Sequence, residues 1–166
     1  MGFTGWSGAG KTTLITLLIP VLRARGLRVS TIKHAHHGFD LDKPGKDSWA
    51  HREAGAAEVL VASGKRWALM HELRDEAEPE LRDLLTKLAP VDLVLVEGFK
   101  RTTPMKIEVH RPALGQTLIF PDDPAVAAVA SDVPMALPAT VCRLALGDVG
   151  AIADFVVSRA VPVALP

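Results

Sequence analysis

The residues with the clearest chemical potential lie at the start of the chain, which reads MGFTGWSGAGKTT. Positions 5–12 fit the pattern G-x-x-x-x-G-K-T, which is typical of a phosphate-binding loop. Glycines let the backbone direct its N–H groups at phosphate oxygens, and the helix that follows adds the positive end of its dipole. We predict that the nucleotide-binding residues are Gly8, Ala9, Gly10, Lys11, Thr12 and Thr13.

A second chemical group follows the apolar run Val91–Val96, which ends in Glu97. In nucleoside triphosphatases an acid at such a strand end holds Mg²⁺, directly or through water. The hydroxyl that follows the loop lysine is the other protein ligand in this arrangement. We therefore predict that Thr12 and Glu97 bind Mg²⁺, and that Lys11 reaches the β- and γ-phosphates of the nucleotide.

A third group is the polar stretch HAHHGFDLDKPGKDS at positions 34–48. Asp40 and Asp47 are candidates for activating a water or an acceptor, so with Lys11 they form the predicted catalytic set. The stretch also admits a transition-metal site or an ordinary solvated loop. We predict that a second ligand is contacted by His34, His36, His37 and Lys100.

These residues do not identify the base of the bound nucleotide. The Asn/Thr-Lys-x-Asp motif by which many proteins recognise guanine is absent. Asp132, which follows the apolar run 125–130, stands at a strand end where an acid could accept hydrogen bonds from guanine. From the residues alone, ATP and GTP are not separable.

These groups require a scaffold of alternating strands and helices. Unalternating apolar runs at 91–96 and 125–130 indicate strands covered on both faces, as in a parallel sheet. We predict an α/β fold: a three-layer P-loop NTPase domain with a mainly parallel sheet and an added antiparallel strand pair. The pair is expected at 57–72, with 105–111 as a further candidate for an antiparallel addition. Residues 1–160 should form this single domain, followed by a tail at 161–166.

Local signals place the remaining elements. The helix after the glycines should end near Gly26 and bend at Pro20. Trp49 and Trp67 are expected to be packing residues, whereas Trp6 is expected to be partly exposed. The single cysteine, Cys142, is expected to be a small buried hydrophobe.

The composition narrows the functional classes. The chain has 166 residues with 19 basic and 19 acidic side chains, so it lacks the clustered basic excess of a nucleic-acid-binding protein. No apolar run is long enough to cross a bilayer. A lone thiol suits a reducing compartment. We expect a cytoplasmic protein with no nucleic-acid or membrane partner.

Five segments together resemble a known family. GWSGAGKTTL, IKHAHHGFDLDKPGKDS, AGAAEVLVAS with RWALM, DLVLVEGFK and AVASDVP occur in the order seen in the molybdopterin-guanine dinucleotide biosynthesis protein B family. The phosphate loop alone is generic, but the histidine-rich segment and the Glu-Gly-Phe-Lys sequence are far more specific. The resemblance extends over nearly the whole chain, except for the tail.

The resemblance implies an accessory protein that binds GTP and Mg²⁺, has weak GTPase activity and forms a homodimer through strands outside the main sheet. Its expected partners are the molybdenum cofactor guanylyltransferase and molybdopterin. Two alternatives remain at this point: a P-loop small-molecule kinase, and a scaffold with a vestigial loop. The resemblance does not locate the base-reading residues, the pterin site or the dimer surface.

Overall fold

The first strand of the chain lies in the middle of a sheet, and the glycine loop follows it directly. The computed structural model describes residues 1–35, 38–99 and 102–163. In it, β1 (Gly2–Thr4) runs into the loop, and α1 (Lys11–Ala24) leaves it. β1 has only three residues, yet all three are buried because a parallel strand pairs on each side of it. A short first strand is therefore compatible with a central position.

Helix α1 forms because leucines and isoleucine recur at helical spacing and bury one face: Leu14, Ile15, Leu18 and Leu22. Pro20 lies inside the helix, as the sequence indicates. The helix stops where Gly26 adopts a left-handed conformation at φ 84°. Gly26 N–H then bonds to Arg23 O and Leu27 N–H to Leu22 O, which closes the last turn.

The chain divides into two compact units. The first contains residues 1–34 and 80–166, and the second contains residues 35–79. In the first unit the further strands are β2 (Val29–Lys33), β5 (Leu93–Glu97), β6 (Lys106–His110), β7 (Val126–Ser131) and β8 (Cys142–Ala145). Its further helices are α3 (Leu81–Thr86) and α4 (Val149–Arg159), with short 3₁₀ helices at Pro112–Leu114 and Phe120–Asp122.

The six strands of the first unit form one sheet in the order β2-β5-β1-β6-β7-β8, and every pairing is parallel. Alternate residues of β5 supply two cores: Leu93 and Leu95 join the α1 and α4 side, and Val96 joins the α3 side. Helices therefore cover both faces, which confirms the predicted three-layer α/β class with a mainly parallel sheet.

The second unit contains α2 (Asp47–Glu53), β3 (Glu58–Ala62) and β4 (Trp67–His71). β3 and β4 form a separate antiparallel pair, with Leu60 opposite Leu69 and Ala62 opposite Trp67. This confirms the antiparallel pair predicted at 57–72.

Three expectations from the sequence are wrong. The segment 105–111 is not an antiparallel addition, because β6 pairs in parallel with β1 and β7 inside the main sheet. Cys142 is exposed, because it is the first residue of the edge strand β8. Trp67 is 67% exposed rather than packed, because its strand pair leaves that side chain uncovered within the second unit.

Candidate functional site

The phosphate loop owes its shape to left-handed glycines. Gly5, Gly8 and Gly10 have φ values of 141°, 79° and 100°, which L side chains rarely adopt. A Cβ on Gly5 would stand 2.4 Å from the carbonyl oxygen of Val109 in β6. The loop therefore passes so close to the neighbouring strand that only glycine fits at its first position.

The loop leads into the uncapped start of α1. Gly10 is the N-cap residue, so no cap side chain accepts from the first-turn N–H groups. Backbone donors at a helix start, with the dipole behind them, favour an anion. The predicted phosphate-binding residues are thus contiguous around this helix start.

Lys11 folds back across the loop. Its Nζ donates to the carbonyl oxygens of Gly5 at 2.8 Å and Trp6 at 3.0 Å. Trp6 is partly exposed, as expected, and its Nε1 donates to Thr117 O at 2.8 Å. The ammonium group therefore lies beside the loop whose phosphates it is predicted to bind.

Thr12 and Glu97 meet at the same end of the sheet. Thr12 Oγ1 donates to Glu97 at 2.9 Å from Oε1 and 3.1 Å from Oε2. Mg²⁺ binds oxygen at about 2.05 Å in octahedral geometry, so two adjacent ligands lie about 2.9 Å apart. The spacing of these two hard oxygen ligands fits one edge of a Mg²⁺ coordination shell.

The strand end around Glu97 is further fixed by its neighbours. Lys33 Nζ lies 3.9 Å from Glu97 Oε2, and His34 N–H donates to Glu97 O at 2.9 Å. Gly98 has φ 94°, and a Cβ there would lie 2.7 Å from the Cβ of His34. The His34 and Phe99 rings contact each other in a tilted arrangement, with 4.9 Å between their centroids and 52° between their planes. The structure thus places His34 at the end of the sheet where Thr12 and Glu97 meet.

Two of the other predicted site residues belong to the second unit, and three lie outside the residues that the structure describes. Asp40 and Asp47 belong to the second unit. His36, His37 and Lys100 lie outside the described residues. Within 1–35, 38–99 and 102–163 there is no group of three or more histidine, cysteine or acidic side chains that could hold a metal ion.

Asp40 is held in its ionised form. Its Oδ1 accepts from the backbone N–H of Asp42 at 2.8 Å, and its Oδ2 accepts from Arg52 at 2.9 Å. The hydrogen bond from Asp42 N–H, followed by the one from Arg52, lowers the pKa of Asp40. A carboxylate with a lowered pKa is a weaker base.

Sequence reasoning missed one residue of the loop's surroundings. Arg111 Nε donates to Ala9 O at 3.0 Å, and its Nη1 lies 2.7 Å from Asp132 Oδ2. The signal available was only a basic residue at the end of the segment 105–111, which was predicted to be a strand. Nothing local indicates that this strand lies beside the loop.

Comparison with known proteins gives one family. Residues 1–132 match the family described as MobB, molybdopterin guanine dinucleotide synthesis protein B. A molybdopterin-guanine dinucleotide biosynthesis adapter protein of Escherichia coli (strain K12) is 50% identical over 162 residues, covering 95% of this chain and 90% of the relative. A protein of the same name from Haemophilus influenzae (strain ATCC 51907 / DSM 11121 / KW20 / Rd) is 44% identical over 159 residues, covering 94% and 86%.

Solved structures agree. A crystal structure of molybdopterin-guanine biosynthesis protein B is 30% identical and superposes with a TM-score of 0.70, covering 95% of this chain and 97% of the other. The Bacillus subtilis MobB structure has a TM-score of 0.72 at 23% identity, covering 95% and 94%, which supports the fold alone.

Proposed function

The chain belongs to the MobB family, and we propose that it is an adapter of molybdopterin-guanine dinucleotide biosynthesis that binds GTP with Mg²⁺. The observation that carries this proposal is the pairing of Thr12 with Glu97 directly beside the glycine loop. The adapter names of relatives 50% and 44% identical supply the pathway. None of these names describes a kinase, and no contact in the described residues favours that alternative.

The glycine loop and α1 bind the phosphates. Backbone N–H groups of residues 8–12 point into the concave side of the loop in such folds and replace the water around the phosphate oxygens. Lys11 exchanges its bonds to the Gly5 and Trp6 carbonyls for bonds to the phosphate oxygens. Thr13 follows on the first turn of α1, where its N–H adds to the donors.

Thr12 and Glu97 hold the metal ion. Glu97 is only 13% exposed, so its charge is little screened and attracts a divalent cation strongly. When bound, Mg²⁺ neutralises charge on the phosphates. Lys33, near the same carboxylate, balances part of its charge in the absence of the ion.

Hydrolysis by this protein is slow in our proposal. Asp40 is a weak base because the Asp42 N–H and Arg52 hold its pKa low. Asp47 is the first residue of α2. Lys11, Asp40 and Asp47 remain the predicted catalytic set. The low pKa of Asp40 agrees with slow turnover of the bound nucleotide.

The second unit supplies a surface for self-association. On one face of the β3–β4 pair, Leu60, Leu69 and Trp67 are 61%, 46% and 67% exposed. Cross-strand pairing places Leu60 against Leu69 and Trp67 against Ala62, so these side chains form one apolar patch. We infer that two copies bury this patch in a homodimer, and that the guanylyltransferase and molybdopterin engage the assembled protein. His34, His36, His37 and Lys100 are the candidates for the pterin.

The test is a calorimetric titration of the protein with GTP and ATP, with and without Mg²⁺. We expect GTP to bind more tightly than ATP and Mg²⁺ to strengthen binding. Glu97→Gln should remove most of the Mg²⁺ effect while nucleotide binding in EDTA is unchanged. Glu53→Gln, an exposed acid of α2, is the control.

A second measurement tests the adapter role. The purified guanylyltransferase should form a complex with this protein and gain activity from it. Absence of both guanine-nucleotide binding and complex formation would refute the proposal. Nucleotide turnover strongly stimulated by a small metabolite would revive the kinase interpretation.

A further inference from the structure

The Arg111 side chain links the phosphate loop, which follows β1, to Asp132, which follows β7. It follows β6, donates from Nε to Ala9 O in the phosphate loop, and pairs through Nη1 with Asp132 after β7. Its guanidinium also passes 3.6 Å from where a Cβ of Gly10 would be. One planar group therefore separates the loop from the Asp132 carboxylate.

The side of the loop that Arg111 binds is defined by peptide geometry. The Ala9–Gly10 peptide is trans, so Ala9 C=O and Gly10 N–H point in opposite directions. Because Arg111 holds the carbonyl, the N–H is turned to the other side of the loop, where the phosphates are proposed to bind. Arg111 thereby orients one N–H group that is proposed to bind phosphate. The same side chain holds Asp132 near the loop.

Asp132 stands where a nucleotide base is expected. In open parallel sheets, ligands lie across the carboxyl ends of the strands, and β7 is the second strand from β1 on the β6 side. The phosphates occupy the end of β1, so the rest of the nucleotide must extend along that edge. Asp132 is about one-third exposed and remains accessible to a ligand.

The chemistry of a carboxylate matches guanine. Guanine presents two adjacent donors, N1–H and the 2-amino group, whereas adenine has an acceptor at N1. A carboxylate accepts several hydrogen bonds, so Asp132 can bind Arg111 through Oδ2 and still accept from both guanine donors. Adenine would instead place its N1 lone pair against a negative charge.

Other acids near this edge are already engaged. Glu97 bonds to Thr12, and Glu108 is fully buried and accepts from Ile119 and Phe120 N–H. Asp148 caps α4 by accepting from Ala151 N–H. Among the acids in or directly after the described strands of the main sheet, Asp132 best combines position and accessibility.

We propose that Asp132 reads the guanine of the bound nucleotide, and that Arg111 is a positioning residue that fixes this carboxylate to the phosphate loop. This inference rests on the proposed binding of GTP and adds the determinant of its base specificity. It also explains how guanine is selected without the Asn/Thr-Lys-x-Asp motif.

The test compares Asp132→Asn with the wild-type protein in titrations with GTP, xanthosine triphosphate (XTP) and ATP. Asparagine offers a carbonyl to N1–H and an amino group to the C2 carbonyl of xanthine. We expect GTP to bind about 10- to 100-fold more weakly and XTP to bind more tightly than to the wild type. Asp122→Asn, an exposed acid of the β6–β7 connection, should leave the GTP to XTP ratio unchanged.

Arg111→Lys and Arg111→Ala test the positioning role. Lysine keeps the charge but cannot bind Ala9 O and Asp132 as a planar fork. We expect both variants to reduce the preference for GTP over ATP, with the lysine variant partly restored. An unchanged preference in both would show that Arg111 has no part in base selection.

Two outcomes separate this inference from the function on which it rests. If the wild-type protein binds no guanine nucleotide, the proposed function itself fails. If it binds GTP through Lys11 but Asp132→Asn keeps the wild-type GTP to XTP ratio, only the inference fails. Inosine triphosphate, which lacks the 2-amino group, tests the unmutated protein: binding equal to that of GTP would overturn the proposal, and about tenfold weaker binding supports it.

Discussion

The loop end of the main sheet and the β3–β4 pair use similar apolar strands in opposite ways. β7 reads VAAVAS and is almost entirely buried, whereas β3 reads EVLVA and buries only Val59. In the first unit, helices and neighbouring strands cover the apolar groups, and polar groups gather at the strand ends. In the second unit the strand pair leaves leucine and tryptophan in contact with solvent.

From this difference we expect the two regions to have different tasks. The loop end holds donors, a lysine and a hydroxyl–carboxylate pair in fixed geometry, which suits binding of a small charged ligand. The strand pair offers an apolar patch with an open face, which suits another protein surface. Variants should therefore separate nucleotide binding from self-association.

The largest effect is expected from Gly5→Ala. Its Cβ would overlap the Val109 carbonyl, so we expect a loss of about 2–4 kcal/mol in the free energy of unfolding and no measurable GTP binding. Gly26→Ala is the control, since it has φ 84° but nothing within 4 Å, and should cost only about 1 kcal/mol. Denaturant unfolding and calorimetry measure both. Equal costs would contradict the close approach of loop and strand.

Lys11→Ala should weaken GTP binding about 100-fold, because charge-assisted bonds to phosphate are lost. Self-association should not change, since the substitution leaves the apolar patch intact. Lys65→Ala, between β3 and β4, is the matched control and should leave GTP affinity at the wild-type value. Calorimetry and light scattering report the two properties. Wild-type GTP affinity in Lys11→Ala would remove the loop from the binding site.

Leu69→Lys should weaken self-association and leave nucleotide binding unchanged. A charge on the exposed face of the strand pair should weaken the dimer about tenfold or more, while GTP affinity is kept. Leu17→Lys, at a comparably exposed position on α1, is the control for adding a charge. Sedimentation measures the dissociation constant. A wild-type dimer in Leu69→Lys would place the subunit interface elsewhere.

The smallest effect concerns pH. Glu58 Oε1 and Glu76 Oε2 lie 2.8 and 3.2 Å from the two ring nitrogens of His71, and these hydrogen bonds, first that of Glu58, raise the pKa of His71 above 6.5. A raised folded-state pKa means that the protonated ring stabilises the fold fully below pH 6.5, and that this contribution is lost as pH rises through the folded-state pKa.

We therefore expect amide hydrogen exchange in β3 and β4 to report decreasing protection above pH 6.5, after correction for intrinsic exchange rates. His71→Gln should flatten this dependence, and Glu58→Gln should reduce it. Equal slopes in the wild-type protein and His71→Gln would show that this histidine does not link pH to the strand pair.

Much of the first unit could be predicted because its signals are local. The glycine pattern, the helical spacing of leucines in α1 and the apolar runs of β5 and β7 each need only a short window of sequence. The antiparallel pair could also be predicted from the sequence, because a tight turn near Gly64 separates two short apolar runs. β8 was not predicted, since CRLA is four residues long and lacks a distinctive pattern.

The environment of the wrongly predicted residues is set by parts of the chain outside their own short segment. β6 alternates charged and apolar residues, which resembles a half-exposed antiparallel strand. It is nevertheless central and parallel, because Lys106 pairs with Asp123 and Glu108 accepts from two backbone N–H groups of the following connection. Trp67 is a large aromatic residue of the kind that usually packs in a core, but no described element of its unit covers it.

The glycine loop, its lysine and the Thr12–Glu97 pair follow from the sequence alone, because glycine conformations and strand-end acids are set by short segments. Only the tertiary structure decided that Arg111 binds Ala9 and Asp132. Those contacts join residues 102 and 21 positions apart, and they exist because the parallel sheet brings the ends of β1, β6 and β7 to one edge.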